Sequence, residues 1–434
     1  MIKRLSLLAL IAMLVLAALP SAAQDAAGAI ECGTEEEVTV VLAAGAVGQE
    51  NELTRAGADR FQEACPNVTV EMLETPDLAN DRLGLYLQFF EAESSDVDIF
   101  QIDVIWPGVL AEHMINLADY IPQEEIDAHF DAIIENNTVD GSLVGIPWFT
   151  DAGLLYYRTD LLEKYGLEAP TTWEELETAA MTIQEGERAE GNAEFWGFVW
   201  QGNNYEGLVC DALEWQVTEG GGFIVEPDGT ISVNNEAAAA AIDRAAGWVG
   251  TISPDGVTSY DEEAARNAFQ SGNAAFMRNW PYAYSLGNAE DSAVAGLFDV
   301  SPLPQGAGGR SAATLGGWQL AVSKYSEHPE AAAAVARYLA GYNEQKFRAI
   351  EGSYNPTIET LYQDEEVLEA APFFGSLFDV FTNAAARPST VTSTLYPQVS
   401  ELYSSAVHSV LTGEQDAASA LELLELDLQE LLGE

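Results

Sequence analysis

The chain opens with an apolar run from Leu5 to Leu19, preceded by Lys3 and Arg4 and followed by Pro20 and Ser21-Ala22-Ala23. At about 15 residues the run is shorter than the roughly 20 needed to span a bilayer. A basic start, a short apolar middle and small residues at the end predict a secretory leader over residues 1–23, cut after Ala23. Cys32 lies well past that cut, behind Ala29-Ile30-Glu31, a poor context for lipidation. An exported, soluble, periplasmic or extracellular protein is expected.

Beyond the leader the pattern alternates. Val38-Thr39-Val40-Val41-Leu42 reads as a strand, and a helix from Glu52 to Ala64 follows a glycine-containing turn. Val68-Thr69-Val70-Glu71-Met72 is a second strand, a helix runs from about Asp81 to Glu93, and Val97-Asp98-Ile99-Phe100-Gln101-Ile102 is a third strand. Strands alternating with helices predict an α/β lobe with a mostly parallel sheet. Alanine-rich stretches from Glu236 to Ala246 and from Glu330 to Ala340, and the Leu/Glu pattern from Ala417 to Leu432, predict further helices. Ligands of such sheets bind at the carboxyl ends of the strands. Glu50, after the first strand, and Asp103, directly after the third, stand at those ends.

Composition narrows the classes. The 434 residues are 48% apolar, enough for a large core, and the length suggests more than one domain. Seventeen basic against 70 acidic residues give a net charge of −53, which repels nucleic acid and anionic membranes. Lys3, Lys164, Lys324 and Lys346 are the lysines; the other basic residues are arginines. An acidic, lysine-poor surface suits high salt, where screening cancels self-repulsion. Export permits a disulfide. Cys32 precedes the first strand and Cys65 ends the first helix; both places fall at one edge of a strand–helix–strand unit, so a Cys32–Cys65 bridge is expected. Cys210, among apolar neighbours in Leu208-Val209-Cys210-Asp211, reads as a buried free thiol. No metal-ligand spacing occurs, and neither a metal nor a cofactor is expected.

Several longer motifs carry a resemblance. Asp151-Ala152-Gly153-Leu154-Leu155-Tyr156-Tyr157-Arg158 runs on to Gly166 and is followed by Ala169-Pro170-Thr171-Thr172-Trp173. More specific are Phe195-Trp196-Gly197-Phe198-Val199-Trp200-Gln201-Gly202 with Tyr205-Glu206-Gly207-Leu208-Val209-Cys210-Asp211, and Gly272-Asn273-Ala274-Ala275-Phe276 with Arg278-Asn279-Trp280-Pro281-Tyr282. Ser311-Ala312-Ala313-Thr314-Leu315-Gly316-Gly317-Trp318 completes the set. In this order, over nearly the whole mature chain, they resemble the maltose-binding cluster of sugar-binding components of ATP-binding-cassette importers, the trehalose/maltose-binding proteins in particular.

The resemblance implies an α/β, two-lobed periplasmic-binding-protein fold with the sugar between lobes joined by three crossings. Residues 34–147 and 298–348 would form lobe one, residues 148–297 and 349–434 lobe two, with crossings near Pro147 to Thr150, Leu297 and Ala349. The implied ligand contacts are Glu50, Arg82 and Asp103 from lobe one, Asp151, Trp280 and Arg387 from lobe two, and Gly317 and Trp318. Phe149 stands where the family has a tyrosine, and Asp77 where it has a threonine; both are placed at the pocket. The implied partners are a disaccharide and the transmembrane permease subunits of an importer, the binding protein itself being a monomer.

The residue types suit that ligand. Carboxylates accept two sugar hydroxyls, arginine donates in a fixed fork, and indole faces cover the C–H patches of a pyranose. For Asp103 and Glu50 the plain alternative is a helix cap or a solvated loop carboxylate; for Arg82 and Arg387 it is a surface ion pair. Trp318 after Gly316-Gly317 and Trp280 before Pro281 are harder to explain as core. Trp106, Trp196, Trp200 and Trp248 are read as core or groove edge. Two other readings stay open: the same fold with another oligosaccharide, a polyol or a glycosylated osmolyte, and a secreted glycoside hydrolase, which needs two flanking carboxyl groups. The charge itself gives a first prediction. The melting temperature should rise as sodium chloride goes from low to molar levels; a flat or falling curve would show that the surface carboxylates do not destabilise the fold.

Overall fold

The computed structural model describes residues 30–433, so the expected leader lies outside the described residues. Strands β1 (Val38–Ala44), β2 (Val68–Glu74) and β3 (Ile99–Asp103) alternate with helices Glu50–Ala64 and Ala79–Glu91. Both helices start two residues earlier than their apolar patterns indicate; acidic Glu50 and Asp81 lie in the first turns, where they complement the helix dipole. A small hairpin, β4 (Thr138–Val139) and β5 (Ser142–Leu143), leads to β6 (Ile146–Ala152), β7 (Leu154–Arg158), β8 (Trp196–Val199), β9 (Ala274–Asn279), β10 (Phe298–Ser301) and β11 (Leu315–Val322).

These strands form two main sheets, one per lobe. The first has the order β2-β1-β3-β11-β6, the second β10-β7-β9-β8. In the first, β1 runs parallel to β2 and β3, while β11 is antiparallel to both β3 and β6. Every residue of β3 and of β6 is buried, because helices cover both faces of the sheet. The mostly parallel expectation holds for β1, β2 and β3 only: β11 adds two antiparallel pairings to the first sheet, and in the second only β8 and β9 are parallel.

The crossings fall later than expected. The first lies at Gly153, between β6 of the first sheet and β7 of the second; residues 148–152, expected in lobe two, belong to the first sheet. β10 pairs with β7, and Gly306 and Gly308 lie against Thr218 and Glu219, so residues 298–308 stay with the second lobe rather than opening the return to the first. The chain returns through residues 309–314. Ala349 lies inside helix Tyr342–Gly352, and beyond it Asn355 and Ile358 bridge to Thr150 and His129 on the first-lobe side. The final passage comes after Ser393, which packs on Gly108 of the first lobe; helices Tyr396–Leu411 and Ala417–Leu432 then pack against Glu206–Glu219 and Glu236–Trp248 of the second.

Helix Glu206–Glu219 is buried from Glu206 to Thr218, packed between helices Glu236–Trp248 and Tyr396–Leu411. Trp106, Trp200 and Trp248 are core residues, and Trp196 is half-buried against Arg188. Cys32 and Cys65 are bridged, with Cα atoms 5.6 Å apart, and Cys210 is a buried free thiol. Among the described residues no helix is long and apolar enough to cross a membrane. The bridge spans 33 residues, so Cys32→Ser together with Cys65→Ser should lower stability by about 3–4 kcal/mol. Chemical denaturation measures this. An unchanged midpoint would mean that the bridge leaves the unfolded state unconstrained.

Candidate functional site

The register of β11 builds the site. Trp318 pairs with Asp103 on one side and with Phe149 on the other, and Gly316 pairs with Asp151. Side chains from three segments remote in sequence thus arrive at one end of the first sheet. Gly317 has φ +125°, and a Cβ there would lie 2.6 Å from the Phe149 carbonyl oxygen, so only glycine lets β11 sit this close to β6. At Gly316 a Cβ would lie 3.2 Å from the Trp280 ring, which reaches over from the end of β9. The two glycines therefore admit a neighbouring strand and an indole from the other lobe.

Between the lobes lies a cavity of about 650 Å³, counted out to its open side. Glu50, Asp77, Asp103, Phe149, Asp151, Trp280, Gly317, Trp318 and Arg387 all line it. Asp77 is exposed at the mouth. Arg82 does not line the cavity: it is fully buried behind it, with its guanidinium carbon 4.3 Å from the Trp318 ring centroid and Nε donating to the Pro76 carbonyl at 2.9 Å. Asp151 lies on β6 of the first sheet, and Arg387 precedes the final passage and bonds the Leu315 carbonyl of β11, so of the three contacts expected from the second lobe only Trp280 comes from it.

Burial governs the charges here. It lifts the Asp151 carboxyl well above the ordinary range, and nearby Glu50 and Asp103 push the same way. Glu50 is also raised by burial, against the pull of Arg82 and Arg348. Asp77 is raised by partial burial and, across the mouth, by Glu263 and Asp261 of the second lobe. Arg387 is 5% exposed; Nη2 donates to Asp103 at 3.1 Å and Nη1 to Glu206 at 2.8 Å, joining β3 of the first lobe to a helix of the second. The lips also meet where Glu206 N–H donates to Asn80 Oδ1 at 2.9 Å.

Tyr205, Glu206, Glu262, Tyr282 and Tyr354 line the cavity and were not singled out from the sequence. Glu262 accepts from Tyr205 Oη at 2.6 Å and from Trp280 Nε1 at 3.3 Å, which fixes the indole edge. Glu206 accepts from Tyr396 and Ser400 as well as from Arg387. In sequence, Tyr205-Glu206-Gly207 is indistinguishable from an ordinary helix start with an acidic first turn. Among the described residues no group of three or more His, Cys, Asp or Glu side chains is placed to hold a metal ion. The arrangement offers flat aromatic faces from both lobes, ionisable acceptors between them and one forked donor.

Residues 46–346 match the family described as bacterial extracellular solute-binding protein. The chain is 54% identical over 397 residues to a probable ABC transporter-binding protein of Deinococcus radiodurans, covering 91% of this chain and 94% of that one. It is 27% identical over 222 residues to the maltodextrin-binding protein MdxE of Bacillus subtilis, 48% of this chain and 49% of the relative. Among solved structures, maltose-bound MalE3 of T. maritima superimposes with a TM-score of 0.87 at 40% identity, over 91% of this chain and 99% of that one. Two α/β lobes with an aromatic and carboxylate-lined cleft, and a match across most of the sequence, place this chain in the family of bacterial extracellular solute-binding proteins, which are binders and not enzymes.

Proposed function

We propose that the protein is the ligand-binding component of an ABC importer and that it takes an α-linked disaccharide, maltose or trehalose. One observation carries the reading: two half-buried tryptophans, Trp318 from the first lobe and Trp280 from the second, line one cavity with Glu50, Asp103 and Asp151 between them. Indole faces and hydroxyl acceptors in that combination are what a neutral pyranose pair requires. The likeness to a maltose-bound structure supports the same class. A ligand that touches both lobes favours the arrangement in which they meet, so binding shifts the population toward closure. The closed spacing of the lobes is what a membrane permease would read.

Calorimetry across maltose, trehalose, sucrose and glucosylglycerol tests the ligand, with maltose or trehalose expected to bind most tightly. Asp103→Asn should weaken that binding by about 1.5–3 kcal/mol, the range for hydrogen bonds to a charged acceptor. Trp280→Ala should weaken both binding and the ligand-induced fall in the radius of gyration seen by solution scattering. Superimposable curves with and without bound sugar would remove hinge closure from the mechanism.

The raised carboxyls add a pH dependence. Asp151 and Glu50 hold protons in the folded state at pH values where the unfolded chain has lost them. Their contribution to stability is therefore present at acidic pH and lost as pH rises through the folded values. The ligand-free melting temperature should fall as pH rises above the ordinary carboxylate range, and Asp151→Asn should flatten the slope. Sugar hydroxyls favour the ionised form of the same groups, so binding should release protons, which calorimetry in buffers of different ionisation enthalpy detects.

A further inference from the structure

Behind Trp280 lies a buried ion cluster that does not line the cavity. Arg278, one residue before the end of β9, is 1% exposed, and Asp211 and Glu214 of helix Glu206–Glu219 are fully buried. Arg278 Nε and Nη2 donate to the two Glu214 oxygens at 2.9 and 2.5 Å, Nε lies 2.9 Å from Asp211 Oδ1, and Nη1 donates to Gln201 at 3.1 Å. A buried ion cluster is a weak source of net stability, since apolar residues of equal volume do as well. What it supplies is direction: a bidentate pair fixes the plane and position of the guanidinium.

That fixed group touches both parts that must cooperate. Its carbon lies 3.9 Å from the Trp280 ring centroid, covering the indole from behind. On the other side, Glu214 Oε1 accepts from Thr314 N–H at 3.0 Å, in the segment returning to the first lobe, and Thr314 Oγ1 donates to the Cys210 carbonyl at 2.9 Å. At Gly153, the first crossing, a Cβ would lie 2.2 Å from Glu214 Oε1 and 2.7 Å from Arg278 Nη2. Two crossings of the chain are thus seated on the cluster that backs the ligand-facing ring.

We propose that Arg278 is a positioning residue that couples Trp280 to the crossings at Gly153 and Thr314, so that filling the cleft and rotating the lobes are one event. Rotation about Gly153 and Thr314 displaces Glu214, Glu214 carries Arg278 through its paired bonds, and Arg278 carries the indole. A sugar stacked on Trp280 holds the same chain of contacts from the opposite end. The proposal rests on the sugar-binding reading for its probe, maltose, and not for its geometry.

The test is a double-mutant cycle between Gly153→Ala and Trp280→Phe. Gly153 has no positive φ, so alanine there conflicts only with the cluster. Gly153→Ala should weaken maltose binding about tenfold when Trp280 is present and less than about twofold in the Trp280→Phe background. In ligand-free scattering each single variant should change the radius of gyration, and the double variant should change it no further than the larger single effect. Glu214→Gln, which keeps the side-chain volume, runs the same cycle if Gly153→Ala aggregates. Losses that add in either measurement overturn the coupling, because a merely structural cluster lowers the melting temperature without making the two positions interdependent. A wild-type protein that ignores maltose removes maltose as the ligand and leaves the scattering cycle to decide the coupling.

Discussion

The site depends on the register of one strand. β11 lies between β3 and β6, and its pairing sets Trp318 beside Asp103 and Phe149 and Gly316 beside Asp151. Side chains alternate along a strand, so a slip of one residue would turn Trp318 into the core and leave the cleft without its first-lobe wall. Gly317 prevents that slip sterically, because only a residue without Cβ fits against the Phe149 carbonyl. The helices and turns of the first lobe hold this three-strand arrangement in place, and the second lobe completes it with Trp280 and Glu262.

A second regularity is that both lining tryptophans, Phe149 and Tyr354 have a buried arginine next to them. Arg82 lies 4.3 Å from Trp318, Arg278 3.9 Å from Trp280, and Arg348 within 5.1 Å of both Phe149 and Tyr354. A guanidinium stacks on a ring face with little hydration to lose, where an ammonium would demand water. Arg278 and Arg348 beside Asp151, and Arg82 and Arg348 beside Glu50, oppose the upward push that burial gives these two lining carboxyls.

Local patterns made the first lobe legible. β1, β2 and β3 and the helices between them follow from apolar runs and their spacing, and the Cys32–Cys65 bridge from their topology. The C-terminal helix matched its Leu/Glu pattern at both ends. Three features were not legible, for one physical reason. The crossings, the place of Asp151 on the first sheet and the contacts of Glu206, Glu262 and Arg278 are all set by partners distant in sequence. Glu206 looks like an ordinary first-turn acid until Arg387, Tyr396 and Ser400 converge on it. Arg82 shows the converse: its type was right for a ligand contact, but the fold buries it one layer behind, under Trp318.

The position of β11 also bears on how the chain reaches its folded state. A central strand supplied from far along the sequence leaves β3 and β6 with open edges until it arrives, and the first lobe cannot close its sheet as it is made. Folds dominated by such distant pairings assemble slowly, since loop closure precedes any gain from contact. For a family that works outside the cell, delay is useful: a chain that has not yet formed its central sheet can still pass a membrane as an extended thread, and folds once the last partner strand is across.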